Sequence, residues 1–406
     1  MIIDAHVHYM PPTLAADLDA FVEAEPFWGL MLAPDSAGNS LQGWATAERM
    51  IADMDAAGID RVVLMSEYRR AHEGSVARND QALAIVRRWP DRVTAFAMIQ
   101  PKTGQASLDE LARCLDGGMA GVGELGPYGQ GCRLDDPDFL RLAEACIRYD
   151  IPLNLHANEE VGHYYPGKAT TPLRDYYRLA SRYPELKLIL AHWGGGLFFY
   201  ELMPETRRAL RNVWYDTAAS PLIFPTRDIF DVALRCVDHR KLLYASDYPL
   251  RLYPRRQPEP DFRPFLAELG SLDLPADVRA DIMGTNAARL LGLGESATNA
   301  PGVQRSDDFS RPTLIKATKV ATTRLDSAIV ATMSTLAVAS AWPETRAVFA
   351  RHGIPCDDSP VPFWEPICQA AAARGLGPDA LARLVAELNE AIAGSTSMSD
   401  EKGSSQ

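Results

Sequence analysis

Eight times between residue 1 and about residue 293 a short, β-rich apolar run gives way to a longer amphipathic segment, the pattern of parallel strands joined by crossover helices. The strand candidates are Met1–Val7, Arg61–Ser66, Val93–Ile99, Ala120–Leu125, Pro152–His156, Lys187–His192, Val213–Thr217 and Lys241–Asp247. Between two of them, Asp138–Tyr149 sets Phe139, Leu142, Ala143, Cys146 and Ile147 at helical spacing. Eight β/α units in about 290 residues predict the α/β class and, within it, a (β/α)8 TIM barrel. An open, doubly wound sheet is the runner-up, but it usually carries a glycine-rich turn after its first strand. That place holds His6-Val7-His8.

Residues 294–312 are rich in small, polar and breaker residues and read as a linker closing a barrel domain of residues 1–293. Beyond it, Leu325–Ala341, Pro343–His352, Pro366–Arg374 and Pro378–Ile392 are predicted helices. Gly353, Gly375 and Gly394 follow three of them, where a C′ glycine is favoured. This predicts a small all-α domain over residues 313–394 and a Ser-rich, disordered tail over 395–406.

In a barrel of this kind functional groups sit where strands end, because the βα loops converge on the axis at the C-terminal face. His6 and His8 are one residue apart, so on an extended strand both side chains face one side and can chelate an ion. His156 and His192 each close an apolar strand, Leu153-Asn154-Leu155 and Leu188-Ile189-Leu190-Ala191, and the chain holds only eight histidines in all. Asp247 ends the eighth strand as a candidate ligand and general base, or else as the N-cap of the next segment. Glu124 ends the fourth after Gly121-Val122-Gly123, where the backbone can approach an ion closely. Imidazoles and carboxylates together suit a divalent transition metal, Zn²⁺ first, with Mn²⁺, Fe²⁺, Co²⁺ or Ni²⁺ as substitutes.

The order His-x-His, Glu, His, His, Asp, with Ala191-His192-Trp193-Gly194-Gly195-Gly196, Ser246-Asp247-Tyr248-Pro249-Leu250 and Gly284-Thr285-Asn286-Ala287-Ala288-Arg289-Leu290-Leu291, resembles the amidohydrolase superfamily. The nearest likeness is its amidohydrolase-related branch, which also contains decarboxylases and hydratases. The resemblance implies that His6, His8 and Asp247 bind one ion, that His156 and His192 bind a second, and that Glu124 bridges them. Single-metal relatives instead leave the sixth-strand histidine, here His192, to activate water.

The expectation is therefore a two-ion hydrolase that cleaves a C–N or C–O bond (amide, ester or lactone) of a small, anionic molecule through a metal-bound hydroxide. Asp247 and His192 carry the catalytic roles. His163 and Tyr165, on the loop after the fifth strand, and Arg251, after Asp247, are candidate substrate contacts. A single-ion decarboxylase or hydratase is the alternative within the fold, and a metal-binding regulatory protein without activity is the alternative outside it.

The helical domain, from Pro343-Glu344-Thr345-Arg346 to Leu384-Val385-Ala386-Glu387-Leu388-Asn389, resembles a small domain of unknown function related to one in iron-centre repair proteins. Members commonly show two neighbouring cysteines, whereas Cys356 is followed by Asp357, Asp358 and Ser359. Packing, self-association or partner contact is the expected role. The net charge of −12, from 53 acidic against 41 basic residues, argues against a nucleic-acid partner. Six scattered cysteines and the lack of any apolar run of membrane-spanning length point to a cytoplasmic protein.

Overall fold

The computed structural model describes residues 1–11, 14, 16, 18–25, 32, 41–162, 168, 171–254, 256–293, 328–331, 333, 335, 338, 339, 342–354, 367–372 and 376–400. The chain forms two compact units, Met1–Pro301 and Gly302–Gln406.

The first unit is built on eight parallel strands hydrogen-bonded in chain order: β1 Ile3–Val7, β2 Arg61–Leu64, β3 Val93–Ala97, β4 Gly121–Leu125, β5 Leu153–Leu155, β6 Leu188–Leu190, β7 Val213–Asp216 and β8 Leu242–Leu243. Representative register pairs are Val62 with Val93 and Leu153 with Leu188. The last strand returns to the first through a parallel bridge between Val7 and Tyr248 and through Ala5 N–H to the Tyr244 carbonyl, 2.8 Å. This closure is what separates a barrel from an open sheet. Strands covered on both faces are near-continuous apolar runs, and every residue of β1, β3, β4, β5 and β6 is buried.

A helix follows each strand: α1 Ala47–Ala57, α2 His72–Arg88, α3 Gln105–Asp116, α4 Pro137–Arg148, α5 Leu173–Arg182, α6 Pro204–Ala209, α7 Thr226–Cys236 and α8 Arg263–Gly270. Each forms where an apolar stripe meets start and stop signals. Thr46 Oγ1 accepts the Arg49 N–H at the head of α1, and Gly58 ends it in the left-handed region. Phe139, Leu142, Ala143 and Cys146 of α4 are buried as their spacing required. In this unit Leu64, Phe139, Leu153, Tyr215 and Phe265 belong to one continuous core.

The second unit has a core of its own, including Val348, Phe349, Ile354, Ile367, Leu384 and Leu388. Helix Thr345–Arg351 ends where Gly353, at φ 68°, donates to the Ala350 carbonyl and Ile354 donates to that of Phe349, the two bonds of a glycine-terminated helix. Helix Ile367–Ala372 also lies within the expected span. The next helix, Pro378–Asp400, runs six residues beyond Gly394. Residues 395–400 are therefore helical, not the tail expected there, because a mid-helix glycine costs only about 1 kcal/mol relative to alanine. Residues 401–406, the linker at 294–312, Gly375, Cys356 and most of the Leu325–Ala341 helix lie outside the described residues. No helix among the described residues is long and apolar enough to cross a membrane.

Candidate metal centre

The sequence placed six candidate ligands at strand ends, and the structure brings all six side chains together. His6 lies within β1 and His8 just past it; Glu124 is in β4, His156 directly follows β5, His192 follows β6 by two residues and Asp247 follows β8 by four. All six are buried.

Reaching the axis costs the backbone its regularity. His192 and Asp247 adopt φ of 55° and 65°, left-handed values uncommon for residues other than glycine. They turn the chain off the strand so that each side chain faces the others. Gly123 meets a similar demand by different means. A Cβ there would come within 2.7 Å of both the Asn154 carbonyl oxygen and its Cβ, so only glycine lets β4 carry Glu124 this close to β5.

Glu124 sits between two pairs of imidazoles. Its Oε2 lies 3.4 Å from His6 Nε2 and 3.8 Å from His8 Nε2. Its Oε1 lies 2.7 Å from His156 Nδ1 and 3.4 Å from His192 Nε2. Asp247 closes the cluster, with Oδ1 3.3 Å from His8 Nε2 and Oδ2 3.9 Å from His192 Nδ1. Two triads thus share Glu124, His6–His8–Glu124 and Glu124–His156–His192.

The other nitrogen of each ring decides its tautomer. His6 Nδ1 faces the Asp216 carboxylate at 3.0 Å, His8 Nδ1 the Met65 carbonyl at 3.2 Å, and His192 Nδ1 the Ala218 carbonyl at 3.0 Å. His156 Nε2 faces the amide oxygen of Asn158 at 2.9 Å. These are acceptors, so those nitrogens carry the hydrogens, and once a metal displaces the protons on the inward nitrogens it is these that present lone pairs.

Lone pairs then oppose each other across 3.1 Å, His6 Nε2 against His8 Nε2 and His192 Nε2 against His156 Nδ1. Facing lone pairs repel unless a cation lies between them. Two ligands at 2.0–2.1 Å from a tetrahedral ion are about 3.3 Å apart, so the donor set fits a divalent metal.

Ionisation points the same way. Burial opposes a charge on His6 and on His192, but the carboxylates of Glu124 and Asp216 hold His6 well above its usual range. Those of Glu124 and Asp247 bring His192 up to about 9. Burial would also raise Glu124 and Asp247, yet the imidazoles outweigh it and hold both carboxyls below theirs. The cluster attracts positive charge, which protons supply in the absence of metal.

The sequence profile of the amidohydrolase family matches residues 3–293. The chain belongs to this family. Among proteins similar to this chain, the 2-amino-3-carboxymuconate-6-semialdehyde decarboxylase of Dictyostelium discoideum is 22% identical over 247 residues, 53% of this chain and 65% of the relative. The alignment thus spans just under two thirds of that protein. A 5-carboxyvanillate decarboxylase of Sphingomonas paucimobilis superposes with a TM-score of 0.58 at 17% identity, covering 72% of this chain and 98% of that one. A dihydroxybenzoic acid decarboxylase of a Polaromonas species, solved with manganese and 2-nitroresorcinol, gives 0.55 at 19%, covering 74% and 98%.

Of the three expected substrate contacts, Arg251 alone lies among the described residues. Arg251 is partly buried beyond Asp247 and its backbone N–H donates to the Leu41 carbonyl, 2.9 Å. Its buried Nε has no hydrogen-bond partner among the described residues. His163 and Tyr165 lie outside the described residues. Asp216 at the end of β7 and Asn158, two residues after His156, were not anticipated. Asp216 meets the same strand-end test that picked out Asp247, and Asn158 opens a loop in which only substrate contacts were expected.

Proposed function

We propose that this protein is a hydrolase holding two divalent transition-metal ions, one by His6, His8 and Asp247 and one by His156 and His192, with Glu124 between them. The supporting observation is that each Glu124 oxygen faces a separate histidine pair. When bound, such ions acidify water and polarise a carbonyl, which C–N or C–O cleavage at neutral pH requires. Glu124 is kept ionised by the imidazoles of His156, His6 and His192. Asp247, fixed by its N–H to the His6 carbonyl at 2.9 Å, accepts the proton of the attacking water and returns it to the leaving group. The buried, unpartnered Nε of Arg251 suits a contact with an anionic substrate. Zn²⁺ is the ion we expect, and free buried thiols at Cys114, Cys132, Cys146 and Cys236 suit a reducing cytoplasm.

A second reading, non-oxidative decarboxylation at a single ion, is favoured by the names of the Dictyostelium, Sphingomonas and Polaromonas relatives. His192 would then hold or move the proton instead of binding metal. The deciding experiment measures bound metal and turnover together. Two equivalents, with hydrolysis of members of an ester, lactone and amide panel, are expected. One equivalent, with release of CO₂ from hydroxybenzoates or carboxymuconate semialdehydes and an inert hydrolysis panel, would overturn the hydrolase reading.

A further inference from the structure

We infer that Asp216 is the positioning residue that sets the histidine tautomer of one half of the centre while pinning the backbone of the other, an inference that rests on the two-ion reading. Asp216 is fully buried at the end of β7, and both oxygens are in use. Oδ2 accepts from His6 Nδ1 at 3.0 Å and from Asn154 Nδ2 at 3.3 Å. Oδ1 accepts the backbone N–H of His192 at 3.0 Å and of Ala218 at 3.1 Å. The Ala218 carbonyl in turn receives His192 Nδ1. One carboxylate therefore faces a ligand of each histidine pair.

The two oxygens do different work. Through Oδ2 the carboxylate, which can only accept, requires a hydrogen on His6 Nδ1 and so leaves Nε2, once a metal displaces its proton, to offer its lone pair to an ion between Glu124 and His8. Through Oδ1 it holds the left-handed turn at His192, which carries that ring to its place beside His156.

Asp216→Asn separates the two roles. The amide oxygen keeps the two backbone donors by occupying the Oδ1 position, because the reverse orientation would set an NH₂ against two N–H groups. The NH₂ then faces His6 Nδ1 and can only donate, so the ring must take its hydrogen on Nε2, where the lone pair is needed. The substitution is expected to disable the His6–His8 half and spare the His156–His192 half.

The test titrates metal-stripped, full-length wild type and variant with Zn²⁺ and with Co²⁺, reading stoichiometry, affinity and the visible Co²⁺ spectrum. Wild type should take two equivalents. Asp216→Asn should keep one of them at near wild-type affinity and bind the other roughly 10- to 100-fold more weakly, with the metal-free melting temperature unchanged. Adding His156→Ala should remove the retained equivalent, whereas adding His8→Ala should leave it in place. Wild type at two equivalents and the variant also at two, with the same affinities, overturns this inference alone. A wild type that takes one overturns the two-ion reading and this inference with it. Should Asp216→Asn not fold, Asp216→Ser, which removes both the contact to His6 Nδ1 and the support of the His192 turn, replaces it; both equivalents should then bind more weakly, and unchanged affinities overturn the inference. Failure of both to fold shows a structural residue and overturns the inference.

Discussion

At the scale of single residues the centre depends on Glu124. Replacing it by glutamine keeps its size but puts an NH₂ where one of the histidine pairs presents lone pairs, and a neutral amide is a poor bridge between cations. Glu124→Gln should reduce bound metal from two equivalents to one and lower activity at least about 100-fold, roughly 2.7 kcal/mol of transition-state stabilisation. Unchanged metal content by elemental analysis would refute the bridging role. A second consequence concerns protons. His192, raised to about 9 in the metal-free cluster by Glu124 and Asp247 against its burial, is protonated at neutral pH, and an ion must displace that proton to bind. Zn²⁺ affinity should therefore rise with pH and level off above about 9. Calorimetry in buffers of different ionisation enthalpy should register proton release at pH 7. An affinity independent of pH between 7 and 9 would contradict it.

At the scale of elements, side chains tie helices to strand ends beside the centre. Asn79 of α2 is fully buried, donates to the Met98 carbonyl at 2.9 Å and to Glu110 Oε1 of α3 at 2.7 Å, and accepts the Met98 N–H at 2.8 Å. Asn79→Ala strands both backbone groups of Met98 in the interior, at about 1–3 kcal/mol for each group left unsatisfied. The variant should lose about 3 kcal/mol by urea denaturation while its metal content stays the same, and a loss below about 1 kcal/mol would show that water replaces the amide. This scale also marks how far the sequence could be read. All eight strands were legible, because strands buried on both faces are largely apolar runs. Their ends were overextended, since β6 stops at Leu190 and β8 at Leu243, whereas the expected spans ran on to His192 and Asp247. Hydrophobic pattern registers burial, and these residues are as buried as the strand itself. Their left-handed φ values leave no trace in that pattern. The six residues of the cluster were legible because they are ionisable groups at the ends of apolar runs. Asp216 satisfies the same rule, and the identity of the partner that holds it could come only from the closed barrel, which sets β7 beside β1's histidine across the axis.

At the scale of the whole molecule, the two units have separate cores. The core that includes Leu64, Phe139 and Tyr215 draws on the first unit, and that of Phe349, Leu384 and Leu388 on the second. All six cluster residues, together with Asp216 and Asn158, belong to the first unit, and the family match ends at residue 293. A domain with its own core folds alone when few contacts cross its boundary. A protein of residues 1–301 should accordingly be soluble, carry the same metal equivalents as the full chain and hydrolyse the same substrates with an unchanged KM. The informative failure is selective. If the shortened protein is folded and fully metallated but binds substrate more weakly, the helical unit contributes to the substrate site. If it is insoluble even with Zn²⁺ supplied, the barrel depends on that unit for its stability, and the independence argued from the two cores is wrong.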